Sequence, residues 1–186
     1  MSAPLQLSVS SVDGHSLTVT FQFVNGRFRQ LISLSDAHGV VHDQWEDAIE
    51  SADSDWPSSP PIQQLSLESI NDRPTLLGVG QAGKSHWSIS VEQDDTSEKK
   101  ALRFDLACRT RSLPLWLGST YERLAMPPSA KQSLVMRSEN GTQSDANALA
   151  IRCDLTHAGE ARYPATFRWS YWIAMQTPLT HPSRLP

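Results

Sequence analysis

The chain predicts an all-β fold: an antiparallel β-sandwich, jelly-roll-like, of nine or ten short strands with little helix. Three observations predict it. Apolar residues recur with a period of two along most of the chain, the period of a strand with one buried face. Turn signals such as Asp13-Gly14 and Asn25-Gly26 separate the alternating runs. Two connections, 36–61 and 123–147, are too long for hairpins and suit crossings between two sheets better than an up-and-down barrel.

Leu5, Leu7 and Val9 alternate with polar residues, as do Leu17, Val19, Phe21 and Phe23. Asp13-Gly14 between them makes a hairpin, and Asn25-Gly26 adds Phe28–Ser35 to complete a three-stranded meander. The window 36–61 carries Asp36, Asp43, Glu46, Asp47, Glu50, Asp53 and Asp55 and the prolines 57, 60 and 61. It lacks a period-two pattern and reads as mostly irregular chain over the surface, with Asp43–Ser51 a candidate short helix. Strands resume at Ile62–Ser69, Thr75–Gly80, Ser85–Gln93 and Ala101–Thr110, with a further short one in Leu115–Glu122. The polar stretch 123–147 reads as a long loop with one candidate helical turn near Lys131–Met136. Leu149–Leu155 and Thr166–Ala174 close a single domain over 1–176. The proline-bearing tail, 177–186, is expected to fray.

Ser85–Gln93 and Ala101–Thr110 are the cleanest amphipathic strands. If they pair as a hairpin, Trp87, Ile89 and Val91 share a face with Leu102, Phe104, Leu106 and Cys108, because a one-residue slip would turn one set outward. The favoured register sets Val91 against Phe104, Trp87 against Cys108 and Glu92 against Arg103. The Glu92–Arg103 pair contributes roughly 0.2–1 kcal/mol. The same register brings His86 beside Arg109 on the outer face, on the side that also carries Asp105.

At 186 residues, 39% of them apolar and 19% charged, the chain suits one globular domain that needs neither metals nor disulfides for stability. No run approaches the ~20 apolar residues of a membrane span. The start, Met-Ser-Ala-Pro-Leu-Gln-Leu, has neither the basic nor the apolar region of a secretory signal. The expected location is therefore cytoplasmic, with no membrane partner. Cys108 and Cys153 are then reduced thiols on apolar strand faces, and the sequon Asn140-Gly141-Thr142 stays unmodified. Charge is uneven: nine acids and no Lys or Arg lie between Arg29 and Arg73, whereas eight basic residues face only Asp105 and Glu122 from Lys99 to Arg137. The sequence pI of about 5.8 argues against a nucleic-acid partner.

Gly78-Val79-Gly80-Gln81-Ala82-Gly83-Lys84-Ser85 matches the P-loop pattern letter for letter. A P-loop must open a helix, whose amino end holds the phosphates. Here the following His86–Glu92 has strand alternation, so Gly78–Ser85 reads as a glycine-rich hairpin and no nucleotide site is expected. His38 and His42 are four apart, but Gly39-Val40-Val41 is a poor helix for presenting both to a metal. Asp53-Ser54-Asp55 lacks the remaining residues of a calcium loop. No metal, cofactor or catalytic nucleophile is expected from these patterns.

Six tryptophans remain to be placed. Trp87 and Trp169 fall on inward faces, Trp172 on an outward one, and Trp45, Trp56 and Trp116 in expected loops. His86, Asp105, Arg109, Trp172 and Trp56 are the candidate ligand-binding residues. The leading reading is a non-enzymatic domain that binds a protein or a carbohydrate through loop aromatics and a polar sheet face. The alternatives are an enzyme whose site is assembled from residues distant in sequence, and a structural or assembly subunit.

The pieces Trp56-Pro57-Ser58-Ser59-Pro60-Pro61, Gly83-Lys84-Ser85-His86-Trp87-Ser88, Phe104-Asp105-Leu106-Ala107-Cys108-Arg109 and Leu117-Gly118-Ser119-Thr120-Tyr121 resemble recurring elements of a conserved bacterial family of unknown function. The resemblance spans roughly residues 17 to 122. It implies no activity and no site, and it implies that the glycine-rich element belongs to a β domain.

Overall fold

The computed structural model describes residues 3–48, 54–94, 100–124, 134–138, 142–144 and 148–175. The first four strands, β1 (Leu5–Ser10), β2 (Ser16–Val24), β3 (Arg27–Ser35) and β4 (Val41–Asp47), form an antiparallel meander. A second meander follows in the other sheet: β5 (Ile62–Ile70), β6 (Arg73–Ala82), β7 (Ser85–Asp94) and β8 (Ala101–Thr110). The chain then alternates between sheets through β9 (Gly118–Arg123), β10 (Leu134–Ser138), the pair β11 (Thr142–Ser144) and β12 (Ala148–Arg152), and β13 (Ala165–Met175). One sheet has the order β1-β2-β3-β4-β9-β12-β11, the other β10-β13-β8-β7-β6-β5. This is the antiparallel two-sheet sandwich that the alternation predicts, with thirteen strands among the described residues rather than nine or ten; its first eight strands form one meander in each sheet rather than the Greek-key order of a jelly roll. The same residues contain no helix long and apolar enough to cross a membrane.

Hairpin chemistry works as the turn residues dictate. Asn25 and Gly26 both sit at positive φ, as the two-residue turn between β2 and β3 requires. Asn71 and Asp72 do the same between β5 and β6. The register of β7 on β8 is the favoured one: Trp87 opposes Cys108, Val91 opposes Phe104, Glu92 opposes Arg103 and His86 opposes Arg109.

The core lies between the sheets. Phe104 stacks on Tyr171 with ring centroids 4.8 Å apart, and Trp87 meets Trp169 edge-on at 6.0 Å. Cys108 and Cys153 are buried free thiols, as expected. Burial pushes Cys108 up to about 12 and Cys153 to about 11, so both stay protonated and unreactive at neutral pH.

Two segments depart from the sequence reading. The acidic window contains a regular strand, β4, where irregular chain and a candidate helix from Asp43 were expected. Its inward residues are Asp43, Trp45 and Asp47, all buried. The alternation was there, but two of the three inward positions are acids, which masks it from a hydrophobicity pattern. Trp45 is consequently a core residue of a strand and not a loop aromatic. The stretch 123–147 contains β10 and β11 instead of a plain loop, and Leu134–Met136 is strand rather than helical turn. The tail from 177 lies outside the described residues.

Asp43 explains how β10 is held. Its Oδ1 accepts a 2.8 Å bond from Arg123 Nε on β9, and its Oδ2 accepts a 2.9 Å bond from the Leu134 backbone N–H at the start of β10. A buried carboxylate persists only when so paired. Asp43→Ala strands both donors and is expected to lower unfolding free energy by about 3 kcal/mol. The exposed Glu68→Ala should change it by less than about 0.5 kcal/mol. Urea unfolding of the two variants checks this, and equally small losses would refute the anchoring role.

Candidate functional site

The outer face of the six-stranded sheet carries no further layer among the described residues. Register alone lays out its side chains in rows. Gln64, Val79, Ser88, Ala107 and Arg168 form one row across β5, β6, β7, β8 and β13. Ser66, Leu77, Ser90, Asp105 and Ser170 form the next. On the other side lie Gln81, His86, Arg109 and Thr166. Small residues thus occupy the middle of the face and longer polar ones its borders. The result is a groove made of two depressions, about 720 and 530 Å³, which share Gln64, Val79, Ser88, Ala107 and Arg168. Five strands at ~4.8 Å spacing make it about 20 Å long across the sheet.

Of the sequence-predicted candidates, His86 and Arg109 line one depression and Asp105 lines the other. Trp172 lies on the same face, opposite Arg103, whose guanidinium stands 5.6 Å from the indole centroid. Trp56 is elsewhere: it is half-buried and packs against the core, in a loop that Ser59 ties to β9 through Thr120. Trp116 is likewise engaged, donating to the Ser58 carbonyl and covered by Arg152 at 4.9 Å. The loop aromatics therefore seal the fold, and the polar face remains as the open surface. Arg168, Ser88 and Ala107 were not singled out from sequence. The alternation in Thr166–Ala174 put Arg168 on an outer face, but nothing local named β8 as the partner of β13.

The P-loop match is a hairpin. Gly78 and Gly80 lie in β6, Gly83 takes φ +52° in the turn, and Ser85 opens β7. Each glycine has a packing reason. A Cβ on Gly80 would stand 1.8 Å from the Pro61 carbonyl oxygen, and one on Gly78 would press into Ile62, Ile89 and Leu65. No helix follows to receive a phosphate. Among the described residues no cluster of His, Cys, Asp and Glu has metal-binding geometry; His42 instead bonds Asp36 at 3.1 Å.

A second polar cluster is buried between the sheets. Tyr121 on β9 and Tyr171 on β13 share a 2.6 Å hydrogen bond, and Tyr121 also donates to Gln30 Oε1 at 2.8 Å. Burial raises both phenols well above their ordinary range, so they remain neutral. The Gln30 backbone N–H donates to Asp47 Oδ1 at 2.9 Å, while Asp47 Oδ2 has no hydrogen-bond partner among the described residues. Burial pushes Asp47 up to about 6, against the pull of the Gln30 N–H, Arg27 and Arg29. No groove or depression described here reaches this cluster, so its perturbed carboxyl is a feature of the core and not of an open cleft.

No family model, curated protein or solved structure matches this chain.

Asp47 has a measurable consequence. Its folded pKa exceeds the ordinary 3.8, so the folded state holds its proton more tightly than the unfolded state does. Stability is therefore lost as pH rises from about 4 through about 6, and the full loss, about 3 kcal/mol, persists above that window. Asp47→Asn carries no such titration. Urea unfolding of both proteins between pH 4 and 7 should show the difference moving by about 3 kcal/mol in favour of the Asn variant. Parallel pH profiles would disprove it.

Proposed function

We propose that this protein is a non-enzymatic binding domain whose ligand is a carbohydrate chain lying across the outer face of the six-stranded sheet. The observation that carries the reading is the open groove with a floor of small side chains, Ser88, Ser90 and Ala107, and walls of Gln, His, Arg and Asp. Amide, guanidinium and carboxylate groups offer paired donors and acceptors to sugar hydroxyls. A protein partner is supported less well. Protein interfaces centre on buried aromatic or aliphatic anchors, and the middle of this face offers only Val79 and Leu77 beside Ser88, Ser90 and Ala107.

Ser88 lines both depressions and points to solvent. Ser88→Trp should fill the floor with little effect on folding, since exposed strand positions accept aromatics. Wild-type protein is expected to bind a subset of oligosaccharides on a glycan array. Ser88→Trp should weaken those signals by about tenfold or more, or about 1.4 kcal/mol, with its thermal midpoint unchanged. Absence of any glycan signal from the wild type, or unchanged binding by a folded Ser88→Trp variant, would overturn the reading.

A further inference from the structure

We infer that the ligand of this groove bears an anionic group, a carboxylate, sulfate or phosphate, held between the guanidinium groups of Arg109 and Arg168 beside His86; the carbohydrate part of this inference rests on the reading above. The charges on this face are distributed unequally. At one end Asp105 is already engaged: it accepts from Ser170 Oγ at 2.5 Å and from Arg103 Nη2 at 3.1 Å. Arg103 also has Glu92 at 3.9 Å. That end sets two carboxylates around one guanidinium, and Arg103 is already paired. At the other end Arg109 and Arg168 are exposed, and neither has an ion-pair partner among the described residues.

The register brings these two cations together. Arg109 opposes Thr166, and Arg168 stands two residues further along the same strand face, opposite Ala107. Diagonal neighbours of this kind have backbones roughly 7–8 Å apart, within joint reach of one oxyanion for side chains as long as arginine. His86 opposes Arg109 directly from β7. All three line the same depression, over a floor of Ser88 and Ala107 that leaves room for the bound group. Like charges placed side by side repel, and an exposed sheet gains nothing from holding them so. A bidentate oxyanion between two guanidinium forks removes that repulsion and supplies charge-assisted hydrogen bonds. The chain is acidic overall, with net charge −4, so the basic end is a local feature and not part of a general polyanion-binding surface.

The test uses the full chain and three oligosaccharides matched in length: a neutral glucose oligomer, a galacturonic acid oligomer and a sulfated glucose oligomer. Calorimetric titration at low salt should show one or both anionic oligomers binding about tenfold or more tightly than the neutral one, the gain of roughly one charge-assisted bond pair. High salt should shrink the preference. Arg109→Gln/Arg168→Gln should abolish it, so that the anionic oligomers bind no more tightly than the neutral one. Equal affinity for neutral and anionic oligomers, or a preference that survives in the double variant, overturns the inference and leaves the carbohydrate reading standing. A parallel measurement follows the Arg Nε–H resonances during titration with inorganic sulfate. Shifts at Arg109 and Arg168 without binding of any oligomer would keep the anion site and overturn the carbohydrate reading; no shift and no binding overturns both. Tighter binding of a single-stranded oligonucleotide than of every saccharide would show that the anionic group does not belong to a carbohydrate.

Discussion

Burial of Trp87, Phe104, Trp169 and Tyr171 against the opposite sheet sets the register of β7, β8 and β13, and the outer face follows from it. These rings interlock, Phe104 on Tyr171 and Trp87 on Trp169, and all four are almost completely buried. A slip of one residue in any of the three strands would turn its rings to solvent and its polar set inward. Each buried aromatic contributes on the order of 2–3 kcal/mol, so such a slip is strongly disfavoured. The positions of Ser88, Ala107, Arg109 and Arg168 are thus decided by residues on the other side of the sheet. The groove is the outward image of the core.

Polar ties between elements add specificity to that apolar frame. Asp43 joins β4, β9 and the start of β10 through two hydrogen bonds from a fully buried carboxylate. The Tyr121–Tyr171 bond crosses from one sheet to the other and extends to Gln30. Such groups cost desolvation energy and return directionality, which apolar contacts lack. Asp47 shows the cost most plainly: its carboxyl is buried with one oxygen bonded to the Gln30 N–H, and its elevated pKa records the burial.

The glycine-rich hairpin and the basic end of the groove meet at β7. Gly78 and Gly80 let β5 and the Pro61 segment approach β6 closely, which keeps β5 tight against the sheet. The following turn delivers His86 to the outer face beside Gln81 and Arg109. A pattern that elsewhere cradles phosphates here shapes one wall of a different surface, because the chain after Ser85 continues as a strand and offers no helix terminus.

The sequence by itself determined the class of fold, most strands, the β7–β8 register, the burial of both cysteines and the hairpin form of the glycine-rich element. These are local matters: period two, turn chemistry and the polarity of neighbouring residues within a hairpin suffice to settle them. It also placed His86, Asp105 and Arg109 on one face, since that follows from a single hairpin. It missed β4, β10 and β11. In β4 acids occupy inward positions: Asp43 is held by Arg123 and Leu134, eighty and ninety-one residues away, and Asp47 by the Gln30 N–H on β3. It placed Trp56 and Trp116 in loops without showing that the Trp116 indole would bond the Ser58 carbonyl or that Ser59 would tie its loop to Thr120 on β9. Only the tertiary structure set β13 beside β8, and with it Arg168 beside Arg109. Pairing between segments separated by more than fifty residues is decided by the fit of both sheets' inner faces, a property of no local stretch of chain.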